Sequence, residues 1–365
     1  MSPPEPARRG RGARLPLLLP GMLALLAALW GGLLRLGWEL PAPPTPVAAF
    51  HGPLMVAGFL GTVIGMERAV ALGRAWAYLA PLASGLGALA LLAGSPAGSG
   101  PLLTTAGSLA LVLVFAAVLR RQTASFTVVM ALGAVAWLGG QVLWLAGWPP
   151  FRVALWWAAF LVLTIAGERL ELSRVVQVPA AARAAFLGAV VLLLAGLALT
   201  AADFDLGVRA VGVALLALSL WLVRHDVARR TVRQHGLTRF IAVCLLSGYV
   251  WLAVGAMSIL ASGGLDVGGA AYDAALHAVL LGFVFSMVFG HAPIIFPAVL
   301  RVAVPYHPYF YAPLALLHAS LFVRLAGDWM LSPEWRGWGG MLNGVALVVF
   351  VLGTIAAVIR GKRNR

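Results

Sequence analysis

The stretch HGPLMVAGFLGTVIGMERAVAL runs from His51 to Leu72. It has one histidine at its start, a Glu67-Arg68 pair near its end and no other ionisable group. About 20 apolar residues rising about 1.5 Å each cross a hydrocarbon core of about 30 Å. The stretch therefore reads as a membrane-spanning helix. The same length recurs along the whole chain, at 15–37, 47–72, 76–94, 101–120, 124–146, 151–172, 180–201, 205–224, 239–262, 269–292, 308–328 and 338–360. The breaks are short and marked by Pro, Gly or charge, as at Pro41-Ala42-Pro43-Pro44 and Trp148-Pro149-Pro150. Residues 15–360 thus read as a single polytopic membrane domain of about twelve helices, between basic tails at 1–14 and 361–365.

Composition points the same way. The 365 residues are 62% hydrophobic and 10% charged, against roughly 25% charged in a soluble domain. A soluble chain of this size would still need a wetted surface, so the solvent is mostly lipid. The 42 glycines suit close helix packing and the 13 tryptophans suit the membrane interface. The single cysteine, Cys244, excludes an intrachain disulfide and a cysteine-based metal site. The apolar run after Arg8-Arg9-Gly10-Arg11 continues to about Trp38. It is long enough to span and reads as an uncleaved first helix, not a removed signal.

A net charge of +14 would suggest nucleic acid on a soluble protein. Here the basic residues sit between apolar runs and report topology instead. With the N-terminus in the cytoplasm and spans alternating, 21 of the 26 basic residues fall on the cytoplasmic side. Arg35, Arg152, Arg209, Arg324 and Arg336 stay outside. Every cytoplasmic segment is basic, and a missed span would scramble the alternation. The expected location is the inner membrane, with both termini cytoplasmic.

Certain residues repeat every fourth span. The second ends Gly65-Met66-Glu67-Arg68 and the sixth ends Ala166-Gly167-Glu168-Arg169. The second and tenth each carry a histidine, His51 or His277, followed by an apolar Gly-Phe stretch. Twelve spans then read as three four-helix arcs in a pseudo-threefold, all-α integral membrane fold.

An ionisable side chain at the centre of a span costs roughly 2.5–3.5 kcal/mol on insertion scales, so each needs a reason. His225, His235 and His307 fall in loops and are assigned to solvent. His51 lies about 6 Å into the second span, His277 about 12 Å into the tenth and His318 about 15 Å from the outer end of the eleventh. These three share the outer half of the membrane. His291 follows His277 on nearly the same helix face, about 21 Å closer to the cytoplasm.

Two histidines at matched depth on different helices can clamp a haem iron, because neutral imidazole tolerates burial and binds iron well. Gly58, Phe59, Gly282, Phe283 and Phe285 would line an apolar slot. Arg35, Arg152 and Arg324 are on the side where propionates would need cations. The alternative is that each histidine hydrogen-bonds a neighbouring carbonyl and each arginine snorkels to the interface. His51, His277, His318 and His291 are the candidate metal ligands, with Arg35 and Arg324 as cofactor partners. Asp273, at i−4 from His277, either orients that ring or faces water.

Glu67, Arg68, Glu168 and Arg169 form a second polar constellation, near the cytoplasmic ends of spans two and six. Adjacent residues on a helix do not face each other, so pairing is expected between spans. The readings are a buried ion-pair network, a proton or ion path from the cytoplasm, or interfacial anchoring. Cys244, Tyr249 and Trp251 read as packing.

The stretches His51–Leu72 and His277–Pro297 resemble the histidine-bearing helices of NnrS-type membrane proteins, which belong with the subunit I group of haem–copper oxidases. The resemblance implies twelve helices in three arcs and cytoplasmic termini. It also implies a haem b in the outer half, held from helices two and ten at positions matching His51 and His277. It further implies a role linked to nitric oxide or nitrosative stress. The oxidases place copper ligands on helices six and seven, whereas spans six and seven here contain no histidine. Helices six and seven therefore do not support copper, which stays open elsewhere in the chain, and a full oxygen-reducing centre is not expected. His318 has no oxidase counterpart.

The functional expectation is a haem b membrane protein for electron transfer or nitric-oxide-related chemistry, with a redox partner protein. No catalytic residue is assigned. The alternatives are a secondary transporter built on the Glu-Arg pairs, with a helix break at Gly290-His291-Ala292-Pro293, or a non-catalytic assembly partner of a respiratory complex.

Overall fold

The computed structural model describes residues 11–96, 98–262, 265 and 269–363. The expectations for Arg8, Arg9 and Arg365 lie outside them. Among the described residues, twelve helices are long and apolar enough to cross a membrane, and no strand occurs. They are α1 Arg14–Arg35, α2 His51–Leu72, α3 Ala75–Leu92, α4 Ser99–Leu119, α5 Ser125–Leu145 and α6 Pro150–Val176. Then follow α7 Ala180–Leu199, α8 Phe204–His225, α9 Gly236–Ala261, α10 Ala270–Leu300, α11 Pro308–Trp329 and α12 Pro333–Gly361. The chain is an all-α polytopic membrane protein.

The outer surface shows what the solvent is. On α1, Leu15, Leu19, Leu23 and Leu26 form one stripe at helical spacing, each about half exposed. On α12, Val345, Val348, Leu352, Ile355 and Ile359 do the same. In water such stripes would drive association, whereas against acyl chains they are the ordinary exterior.

Three helices lie inside the others. The most apolar window of α2, of α6 and of α10 is 67% buried in each case, and no other span exceeds 56%. These three touch one another, and most chain neighbours pack as hairpins around them. The inner helices are spaced four apart, and they are the ones that carry the repeated histidine and Glu-Arg positions. Small residues permit the approach. A Cβ on Gly58 would lie 2.9 Å from the Cβ atoms of both Ala24 and Ala88. Gly58 therefore serves helix packing between α1, α2 and α3.

Several boundaries differ from the sequence reading by a few residues, and two of them flank the histidine-bearing helices. α2 begins at His51, not at residue 47, because the proline-rich segment before it stays non-helical. α10 runs to Leu300 through Pro293 and Pro297 and stops where Arg301 turns left-handed at φ 54°. The helix break expected at Gly290–Pro293 does not occur. Inside a bundle the carbonyls freed by proline find other partners, so proline is tolerated in a membrane helix.

α2 and α10 share one irregularity. Residues Leu54–Leu60 of α2 and Ala278–Phe285 of α10 are wound as wide π-helical turns. Each stretch begins within three residues of the helix's histidine. Such turns are rare and tend to occur at functional sites.

Candidate functional site

His51 is the first residue of α2 and lies against α1. Its Nδ1 is 2.6 Å from the carbonyl oxygen of Ala28. A Cβ on Gly32, one turn further along α1, would come within 3.0 Å of ring atoms Cε1 and Nδ1. A side chain at residue 32 would displace the ring. On α10, the Nδ1 of His277 is 2.8 Å from the carbonyl oxygen of Asp273. A carbonyl only accepts, so each Nδ1 carries the proton, and Nε2 is the lone-pair nitrogen of each neutral ring.

The two rings approach each other across the α2–α10 contact. Their centres are 6.3 Å apart and their planes differ by 20°. Nitrogen–metal bonds of about 2.1 Å and about 1.1 Å from nitrogen to ring centre place two ligands of one metal about 6.4 Å apart. Eight residues after each histidine, Phe59 and Phe285 also stack, with ring centres 6.1 Å apart. The interface between the two inner helices is thus paired at two levels.

A cavity of about 420 Å³ surrounds the histidine pair. Its walls come from α1, α2, α6, α10, α11 and α12, and its apolar lining includes Gly32, Met55, Trp157 and Phe285. Gly58, Phe59, Gly282 and Phe283, expected to line the slot, are not in its wall. Phe283 packs on Tyr249 and Gly282 on Trp251 instead. The rim carries three cations, Arg35, Arg324 and Arg336. Arg324 is bidentate on Asp273, at 2.9 and 3.0 Å. Asp273 Oδ1 is also 3.3 Å from His277 Nδ1 and 3.7 Å from Arg336. Asp273 therefore links the imidazole to the arginines. Behind it lies Asp328, fully buried, 3.3 Å from Nε of Arg336.

Of the four candidate ligands, the structure brings together His51 and His277 only. Trp251 Nε1 donates to His318 Nδ1 at 2.9 Å, and His318 Nε2 is 3.0 Å from Ser247 Oγ. Both nitrogens of His318 are thus engaged in joining α9 to α11. His291 Nδ1 is 2.8 Å from the Met287 carbonyl, and its side chain does not line the cavity. Arg152 lies over the rings of Trp148 and Phe204, away from the cavity. Among the described residues no group of three or more His, Cys, Asp or Glu side chains is arranged to hold a metal ion.

The second constellation divides in two. Arg68 pairs with Glu168 across α2 and α6, with Glu67 at 3.7 Å. Arg169 turns away to Asp226, with Nε at 2.6 Å and Nη2 at 2.9 Å from its two oxygens. Asp226 also accepts from the hydroxyl of Tyr249 at 2.7 Å and from the backbone N–H of Ala228 at 2.6 Å. Both partners of the Arg169–Asp226 pair are buried.

Sequence reasoning missed Arg336, Asp328, Asp226 and Gly32 as parts of these sites. Arg336 precedes the Gly339-Gly340 pair, a usable signal. A Cβ on Gly340 would come 3.1 Å from Arg324 Nη1, so the glycines let α12 close on the arginine. Asp226 lies in a stretch whose polarity reads as solvated loop.

A family profile described as a domain of unknown function (DUF8744) matches residues 14–359. No curated protein and no solved structure matches the chain.

Proposed function

Within the DUF8744 family, to which this chain belongs, we propose that the protein binds a haem b between α2 and α10 and serves electron transfer linked to nitric oxide or nitrosative-stress chemistry. The observation that carries the proposal is the 6.3 Å spacing of the His51 and His277 rings, each with Nδ1 held on a backbone carbonyl.

The donor set suits a porphyrin better than a bare ion. A zinc site draws on three or four protein ligands, whereas a haem brings four nitrogens of its own and would ask the protein for one or two more. Ligating histidines commonly donate their other N–H to a carbonyl or carboxylate, which fixes ring orientation. Ala28 and Asp273 do this for His51 and His277. The cavity supplies apolar walls, and Arg35, Arg324 and Arg336 stand where two carboxylates would need counter-charges. A bound haem would supply a one-electron carrier. The chain's own residues orient the two imidazoles, keep water from the apolar wall and anchor carboxylates at the rim.

The likeness to NnrS-type proteins belongs to this reading, and α2, α6 and α10 as inner helices agree with it. So does the distribution of basic residues. The face where α1 begins and α12 ends holds most of the basic residues, which by the positive-inside rule supports a cytoplasmic assignment for it. The cavity then opens on the outer side of the inner membrane, where a redox partner protein would approach.

The test is a reduced-minus-oxidised spectrum of protein purified after expression with ample haem. A Soret band and a sharp α-band are expected, and both are lost in His51→Ala and in His277→Ala. A colourless wild-type protein would defeat the proposal.

A further inference from the structure

A second, smaller recess of about 270 Å³ lies at the end of the bundle opposite the histidines. His51 begins α2, and this recess sits against the last turns of the same helix, at Arg68, Ala71 and Leu72. The end of α4, the start of α5 and Glu171 of α6 complete the wall. The haem reading makes no use of it.

The wall holds donors without acceptors. α5 starts after Ala124, whose methyl group cannot cap it. Thr123, one place earlier, turns its hydroxyl back to the Leu119 carbonyl at 3.0 Å. The amides of Ser125, Phe126 and Thr127 therefore have no acceptor among the described residues. Thr127 lines the recess and is 2% exposed. In the first turn no helical carbonyl lies four residues back to receive its hydroxyl, which has no partner among the described residues. Arg68 gives Nη2 to Glu168, but its Nε is buried without an acceptor. Arg121 is exposed at the wall and makes no ion pair among the described residues.

Orphan donors call for a ligand rich in acceptors, not for a metal cation. The local charges set how many negative charges it carries. Arg68, Arg121 and Arg174, the last 4.5 Å from the ring centre of Phe126, balance Glu67, Glu168 and Glu171. The free end of α5 adds about half a positive charge. One negative charge suits this balance better than two. The rest of the wall is apolar, from Phe115, Val118, Phe126 and Met130. It lies where spanning helices end, at the level of lipid headgroups.

We propose that this recess binds the phosphodiester monoanion of a membrane phospholipid. The phosphate accepts from the first turn of α5, from the Thr127 hydroxyl and from Arg121, as anions do at helix N-termini. The apolar part of the lipid lies along Phe115 and Met130. The inference stands apart from the haem reading.

The experiment uses delipidated full-length protein in detergent, titrated with dioleoyl phosphatidylglycerol and separately with inorganic phosphate. Native mass spectrometry counts the adducts. One lipid per chain is expected to bind ahead of all others. Its affinity should fall at least about tenfold in Arg121→Gln and in Thr127→Val, the worth of one charge-assisted hydrogen bond. Thr127→Ser keeps the hydroxyl and should bind like the wild type. Unchanged affinity in Arg121→Gln would overturn the proposal, whether or not Thr127→Val folds. A loss in Arg121→Gln with none in Thr127→Val would overturn it too, by placing the lipid on the surface outside the recess. So would a site that inorganic phosphate fills and phosphatidylglycerol does not.

Discussion

Replacing Asp226 with asparagine tests how the face opposite the cavity is held. Asp226 accepts two bonds from Arg169, one from the Tyr249 hydroxyl and one from the Ala228 amide. The substitution removes the charge and turns an N–H₂ group toward at least one of those donors. Arg169 is 4% exposed and would be left as a buried cation without its carboxylate. Breaking a buried pair in this way costs about 3–5 kcal/mol. The reciprocal change, Arg169→Met, should cost less, because Tyr249 and Ala228 still donate to the remaining carboxylate. Replacing both residues together, as Arg169→Met with Asp226→Leu, should recover most of the loss, since no charge is then stranded. The assay is reversible unfolding in mixed micelles of mild and denaturing detergent, read by circular dichroism. The reasoning fails if Asp226→Asn lies within about 1 kcal/mol of wild type, or if Arg169→Met proves the more damaging single change.

Other expectations follow from the same geometry. Gly32→Val should displace the His51 ring and abolish or sharply weaken the haem spectrum while leaving the helical circular dichroism intact; an unchanged α-band would refute the role given to α1. His318→Ala should leave that spectrum unchanged and destabilise the protein by about 1 kcal/mol, because Trp251 loses a half-buried acceptor; loss of pigment in this variant would return His318 to the ligand set. Arg68→Met should cost about 0–1 kcal/mol in the same unfolding assay, because Glu67 and Glu168 are each more than a quarter exposed and surface-like pairs contribute little. A loss as large as that of Asp226→Asn would contradict this difference in burial.

The fold was legible in the sequence because two independent signals coincide. Apolar runs of spanning length mark the helices, and arginine alternation checks their number. The ends were less legible. Prolines at 293 and 297 look like stops but are carried inside α10, since proline removes an N–H that neighbouring helices in a bundle can compensate for. The site was legible in depth but not in azimuth. His51, His277 and His318 were placed in the same half of the membrane, yet depth does not say which way a side chain points. His318 faces α9, not the cavity. The Glu-Arg pairs show the same limit. Arg68 and Arg169 occupy matching repeat positions, but their partners come from a helix neighbour in one case and from a connecting segment in the other. Only the folded chain brings Asp226 under Arg169.

The histidine pair has a consequence for how the protein assembles. His51 lies on the second helix and His277 on the tenth, with more than half the sequence between them. Hairpins such as α5 with α6 or α11 with α12 form from residues close in sequence. The pocket waits for the slow closure of distant contacts, which rank among the last events in folding. A chain that has inserted its helices but not brought α2 against α10 presents two lone imidazoles and no cavity. Any ligand that bridges them acts as a clasp on the finished bundle. At a thousand times its dissociation constant it would add about 4 kcal/mol to the closed state. Pigment content then becomes a measure of completed assembly, separable from helix content, which is reached earlier.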